Sequence, residues 1–221
     1  ADIDGDNFVN QIDFEMLASY WQQPAVTTFR VPGSKTFENG SFEDYDSSAF
    51  DTHWNQSDFN VQPGASSTVT LLQNSAKAHN GSQAMEWNYD MTSDPGSNYF
   101  TEIIYTFDNY LNSGSVTDLT DENYLDIWFK PDAQNPVPSK LYVKVFGWYL
   151  GDVDAGWYED NRIFTAFYDT SSIVNGQWQK FSIELSNDNP ELQFGSFGGI
   201  NYQISDLQST VAILVGVQYD E

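Results

Sequence analysis

The sequence predicts an all-β protein, an antiparallel β-sandwich, with one short non-β segment at its start. Three observations carry this. Aromatic residues reach 16% of the 221 residues while charged residues stop at 18%. Asn, Ser, Thr, Gln and Gly fill much of the remainder, a balance typical of extracellular β proteins with polar loops. Short β-rich runs recur from residue 35 to the end, separated by polar turns that include the pairs Asn80-Gly81 and Asn175-Gly176. No helical pattern longer than two turns follows residue 40.

The first element is the exception. "ADIDGDNFVNQIDFEMLASYW" alternates three carboxylates that repel one another unless a cation sits between them. A twelve-residue EF-hand-type loop needs oxygen ligands at its positions 1, 3, 5, 7, 9 and 12. Counted from Asp2, these are Asp2, Asp4, Asp6, the backbone carbonyl of Phe8, Asn10 and Asp13. Position 6, usually Gly, is Asn7, the next most tolerant residue for a left-handed turn. Phe14, Leu17, Ala18 and Trp21 follow at helical spacing on one face, and Gln22-Gln23-Pro24 ends that helix. The predicted ligand is Ca2+. The stretch resembles one calcium-loop-helix repeat of a type I dockerin, including Asp at position 12. In that family two repeats pack together and the pair docks onto a cohesin; this chain carries one, and a second would lie upstream of Ala1. The predicted boundaries are 1–23 for this segment and 24–35 for a linker, in which two prolines, a glycine and basic residues cluster between 22 and 35.

The main domain, 36–221, reads as strands at "KTFENGSFE", "STVTLLQN", "GSQAMEWNYD", "NYFTEIIYTF", "NYLDIWFKP", "KLYVKVFGWYL", "RIFTAFYD", "WQKFSIEL" and "STVAILVGVQY", with a possible helical turn in "SDLQSTV". Strict alternation puts Leu141, Val143 and Val145 on one face and Tyr142, Lys144 and Phe146 on the other; Leu125, Ile127 and Phe129 likewise share a face. So many antiparallel strands in one domain imply a sandwich of jelly-roll type. The segments "FENGSFED", "AHNGSQAMEWNYD", "YLDIWFKPDAQN", "SKLYVKVFG" and "VAILVGVQYDE" resemble, in that order, the galactose-binding-like β-sandwiches of carbohydrate-binding modules, which accompany dockerins in large secreted bacterial proteins. The resemblance implies a non-catalytic jelly roll with one structural calcium, for which Glu38, Glu43 and Asp220 are the matching positions. Such domains usually continue past the last strand into a closing one. Either the chain is simply cut there, or the fold already closes, or a neighbouring subunit fills the slot by strand addition.

The net charge of -24, from 32 acidic and 8 basic residues, repels phosphate backbones and anionic bilayers, so no nucleic acid and no membrane insertion is expected. There is no cysteine, which removes thiol catalysis and Cys-based zinc sites. His53 and His79 stand outside any zinc-protease motif, and no nucleophile elbow, phosphate loop or dinucleotide fingerprint occurs. An enzyme is not predicted. Of the histidines, His53 is expected to pack and His79 to be an exposed loop residue.

"YLGDVDAGWYEDN" gathers Asp152, Asp154, Glu159 and Asp160 around aromatics. It fails as an EF-hand, since the twelfth position from Asp152 is Ile163; it is either a looser calcium site, with Asp152 and Asp154 as ligands, or a solvated acidic loop. Sugar recognition needs a flat aromatic plate for the C–H face of the ring and planar polar groups for its hydroxyls. Trp148, Trp157, Tyr158 and, in a polar loop, Trp54 are the candidates. Trp87, Trp128 and Trp178 fall within predicted strands and are expected in the core. The reading is a secreted or cell-surface, non-catalytic, calcium-binding β-sandwich that binds polysaccharide or cell-surface glycan. The alternative is a self-assembling subunit of a surface layer or extracellular fibre, joined to copies of itself by calcium and strand exchange.

Overall fold

A computed structural model of the chain describes residues 42, 54–56, 66–90, 99–107, 117–134, 136–147, 161–197 and 199–219. All belong to the unit Ser34–Glu221; the unit Ala1–Gly33, with the predicted calcium loop and its helix, lies outside them.

The described strands are β1 (Trp54–Gln56), β2 (Ser66–Leu72), β3 (Ala84–Asp90), β4 (Tyr99–Thr106), β5 (Tyr124–Phe129), β6 (Lys140–Gly147), β7 (Arg162–Tyr168), β8 (Gln179–Glu184), β9 (Leu192–Phe194), β10 (Ser196–Phe197), β11 (Ile200–Asn201) and β12 (Thr210–Tyr219), with short 3-10 turns at Thr170–Ser172 and Ile204–Ser209. The fold is all-β and every described pairing is antiparallel. One sheet has six strands in the order β1-β4-β12-β6-β7-β9, and β2–β3, β5–β8 and β10–β11 form separate pairs. The last strand, β12, therefore lies at the middle of the sheet between β4 and β6.

Alternation explains how the layers meet. In β5, Leu125, Ile127 and Phe129 point inward and, across the pair, Phe181 and Ile183 of β8 join them. They pack against Val143 and Val145 of β6, Phe164 and Ala166 of β7 and Ile213 of β12. Tyr168 locks the seam, its ring 5.1 Å from Phe129 and 5.2 Å from Phe181 in edge-on contacts. Each large apolar side chain buried here contributes about 1.5–3 kcal/mol. The arrangement is sandwich-like, a six-stranded layer facing a thinner one.

The other face of the six-stranded sheet is also buried at its middle. Tyr142 and Phe146 cluster with Ile104, Ala212 and Leu214. Among them lies a charged group: Glu102 of β4 is fully buried. It faces Gly216 of β12, which in turn faces Tyr142 of β6. A Cβ at 216 would collide with the Tyr142 ring, 2.6 Å from its hydroxyl oxygen, so only glycine leaves the ring room to lie across β12. The Tyr142 hydroxyl then donates to Glu102 Oε1 at 2.6 Å, and Lys144 Nζ approaches the same oxygen at 3.1 Å. Burial of a carboxylate is tolerable because both a cation and a hydroxyl meet it.

Loops in the described region use their acids locally. Asp118, Asp132 and Asp169 each accept a hydrogen bond from the backbone N–H two residues on, at 2.8–3.0 Å, the side-chain mimicry of a turn that short acids favour. The Asn80-Gly81 pair sits inside the long 73–83 loop between β2 and β3 and not in a two-residue turn. Gly81 and Gly176 adopt φ of 73° and 76°, the left-handed backbone that glycine enters without steric cost.

Candidate functional site

The outward face of the β5–β8 pair combines exposed aromatics with fixed polar groups. The same alternation that buries Leu125, Ile127 and Phe129 turns Tyr124, Asp126 and Trp128 to solvent, with Tyr124 56% and Trp128 47% exposed. Register sets Glu184, Ser182 and Lys180 of β8 opposite them. Lys180 Nζ lies 2.7 Å from Asp126 Oδ2, and the Ser182 hydroxyl donates to Asp126 Oδ1 at 2.6 Å. Asp126 is thereby held from both oxygens, its carboxylate plane oriented in the strip between the two rings. Four residue steps along the strand take Tyr124 to Trp128, roughly 13 Å.

A second segment completes the strip. His79, from the 73–83 loop, stacks on the Trp128 ring at 4.0 Å and 20°, and meets Trp178 edge-on at 5.2 Å. His79 is thus half-buried in an aromatic stack, where an exposed loop residue was expected. Trp128 is exposed, where a core residue was expected. Alternation is the reason: once Leu125, Ile127 and Phe129 face inward, Trp128 faces out.

A further polar contact ties β3 to β12. The hydroxyls of Tyr89 and Tyr219 are 3.0 Å apart, and Tyr219 donates to the Pro136 carbonyl at 3.3 Å. With its one proton so used, Tyr219 accepts from Tyr89. Burial raises the pKa of Tyr89 well above the phenol range, and donating to Tyr219 raises it further. Burial also raises Tyr219, partly offset by the bond it accepts.

Of the sugar-binding candidates, Trp54 is described. It opens strand β1 where a polar loop was expected, and it is half-buried, its ring 5.1 Å from Tyr105 and 5.9 Å from Phe42. Trp148, Trp157 and Tyr158 lie outside the described residues, as do the calcium candidates Asp2, Asp4, Asp6, Phe8, Asn10, Asp13, Glu38, Glu43, Asp152, Asp154 and Asp220. Among the described residues no group of three or more His, Asp or Glu side chains is placed to hold a metal ion, and no helix is long and apolar enough to cross a membrane.

No protein-family model matches the chain, and no curated protein matches it in sequence.

Proposed function

We propose that the chain is a non-catalytic, extracellular or cell-surface β-sandwich of the jelly-roll type that binds polysaccharide or cell-surface glycan, and that the outer face of β5–β8 takes part in that binding. The observation that supports this reading is Trp128, an indole left 47% exposed on the outer face of the β5–β8 pair beside an oriented carboxylate, a hydroxyl and an ammonium. Apolar ring faces stack on the C–H side of a sugar while such groups bond its hydroxyls. Tyr124 and Trp128 stand too far apart for one ring to touch both, so the ligand is an oligosaccharide lying along β5. Calcium, held by Asp2, Asp4, Asp6, Phe8, Asn10 and Asp13 in the dockerin-like loop, serves as a structural ion in this reading.

The test is titration of calcium-loaded protein against a ladder of soluble oligosaccharides of increasing length. Affinity is expected to rise until the ligand spans both rings, then level off, and Trp128→Ala to weaken it about tenfold with an unchanged circular dichroism spectrum. Binding indifferent to Trp128→Ala would remove this face from the proposal. A silent ladder, together with an assembly that falls to monomers on chelation, would favour the self-assembling subunit.

A further inference from the structure

Two of the three Asn-Gly pairs, 80–81 and 175–176, lie among the described residues; they share a sequence signature and a left-handed glycine, yet their surroundings differ. Asn80 and Gly81 are both exposed, and among the described residues Gly81 N–H meets no acceptor within hydrogen-bond reach. Asn175 and Gly176 are half-buried, and Gly176 N–H donates to the Pro131 carbonyl at 2.8 Å. Asn175 Oδ1 is shielded from solvent, and a Cβ at 176 would already press on Ala133 at 3.3 Å.

From this contrast we infer that Asn80 is a site of spontaneous deamidation and isoaspartate formation in the folded protein, and that Asn175 is protected. The Gly81 backbone nitrogen loses its proton and attacks Asn80 Cγ. The new N–C bond closes a five-membered succinimide, and the side-chain nitrogen takes up a proton and leaves as ammonia. Water then opens the ring at either carbonyl, giving aspartyl or isoaspartyl at position 80. The reaction needs an unhindered following residue, a free backbone N–H and room for the side chain to fold back. Among the described residues position 80 offers the first two, and its side chain is exposed to solvent. At 175 the nucleophile is already engaged, so the segment must open first.

The consequence falls on the aromatic stack. Residue 80 adjoins His79, whose ring covers Trp128. Conversion adds a carboxylate there and, in the isoaspartyl form, lengthens the backbone by one methylene beside the imidazole. The chemistry does not depend on what the face binds.

The experiment is incubation of the folded chain at mildly alkaline pH, followed by tryptic mapping. Cleavage at Lys77 and Lys140 brackets Asn80, since the Lys130-Pro131 bond resists trypsin, and cleavage at Arg162 and Lys180 brackets Asn175. Asn80 is expected to convert about tenfold faster than Asn175, the weight of one hydrogen bond in a local opening equilibrium. The two rates should converge in concentrated urea. The Asn80→Gln variant should lose most of the conversion read in the peptide that spans position 80. Equal rates in the folded protein, faster conversion at Asn175, or an Asn80 that stays intact while a short peptide of the same sequence converts would each overturn the inference.

Discussion

The middle of the six-stranded sheet and the β5–β8 pair are built from the same strand alphabet but are buried differently. β4, β12 and β6 are covered on both faces, and β5–β8 on one. The difference decides what a charge can do in each place. Glu102 and Lys144 meet at 3.1 Å with side chains 0% and 13% exposed, whereas Asp126 and Lys180 meet at 2.7 Å with 41% and 40% exposed. The shorter ion pair is the weaker contributor, because water competes for both of its members and screens what remains. The longer one sits where leaving either partner alone strands a charge away from solvent.

The largest expected effect follows directly. Glu102→Ala removes the carboxylate that receives both the Lys144 ammonium and the Tyr142 hydroxyl, and should cost about 3–5 kcal/mol. At this chain length that is a fall of about 2–4 °C per kcal/mol in the thermal midpoint, readable by calorimetry. Glu102→Gln, which keeps an acceptor for Tyr142, should cost less than Glu102→Ala. A midpoint unchanged in both variants would show that the two sheet regions do not differ as their burial implies.

A smaller effect comes from the contact that joins β3 to β12. Tyr89→Phe loses the hydrogen bond to Tyr219 and should cost about 1 kcal/mol at neutral pH. Both tyrosines have folded pKa values raised chiefly by burial, against an ordinary value of 10.0. A raised pKa contributes stability that is complete below the unfolded value and is lost as pH climbs above it, because only the unfolded chain then sheds the proton. Stability should therefore fall above about pH 10, with each such tyrosine adding about 1.4 kcal/mol per pH unit to the slope. Tyr89→Phe should make that alkaline slope shallower by one tyrosine's share. Denaturant melts across the alkaline range check this, and an identical slope in both proteins would remove Tyr89 from the account.

These contrasts were unequally legible in the sequence. The all-β class and the runs that become β2 to β8 and β12 followed from alternation and turn residues, because strands of six or more residues show their period. β1 and β9 to β11 span only two or three residues, too few for any period to show. The outward turn of Trp128 was present in the alternation of β5 but yielded to the general tendency of tryptophan to sit in cores. Glu102 was hidden for a different reason. Its partners lie some forty residues away on β6 and are brought to it across β12, so nothing local marks it as buried. The available hints were the nearly unbroken apolar run of "TVAILVGVQY", the signature of a strand covered on both faces, and the glycine within it, the mark of a close approach. The acids of the described loops add a lesson on charge: Asp132 and Asp169, like Asp118, each accept the backbone N–H of a turn two residues on.

The smallest expected effect sharpens the comparison most. Lys180→Ala leaves Asp126 exposed to water and still bonded to the Ser182 hydroxyl, so stability should fall by no more than about 1 kcal/mol. Combined with Asp126→Ala in a double-mutant cycle, the coupling should lie near 0.2–1 kcal/mol and shrink as salt is added, since exposed charges are screened over about 10 Å at moderate ionic strength. The same cycle on Glu102 and Lys144 should give a larger coupling that salt barely alters, because little solvent reaches the pair. Denaturant midpoints for the seven proteins, two cycles of four that share the parent chain, at low and high salt supply every number required. If the Asp126–Lys180 coupling proved as large and as salt-insensitive as that of Glu102 and Lys144, burial would not be what separates the two regions, and the polar strip beside Trp128 would have to be read as part of a rigid scaffold and not as a solvent-facing row free to exchange its water for ligand hydroxyls.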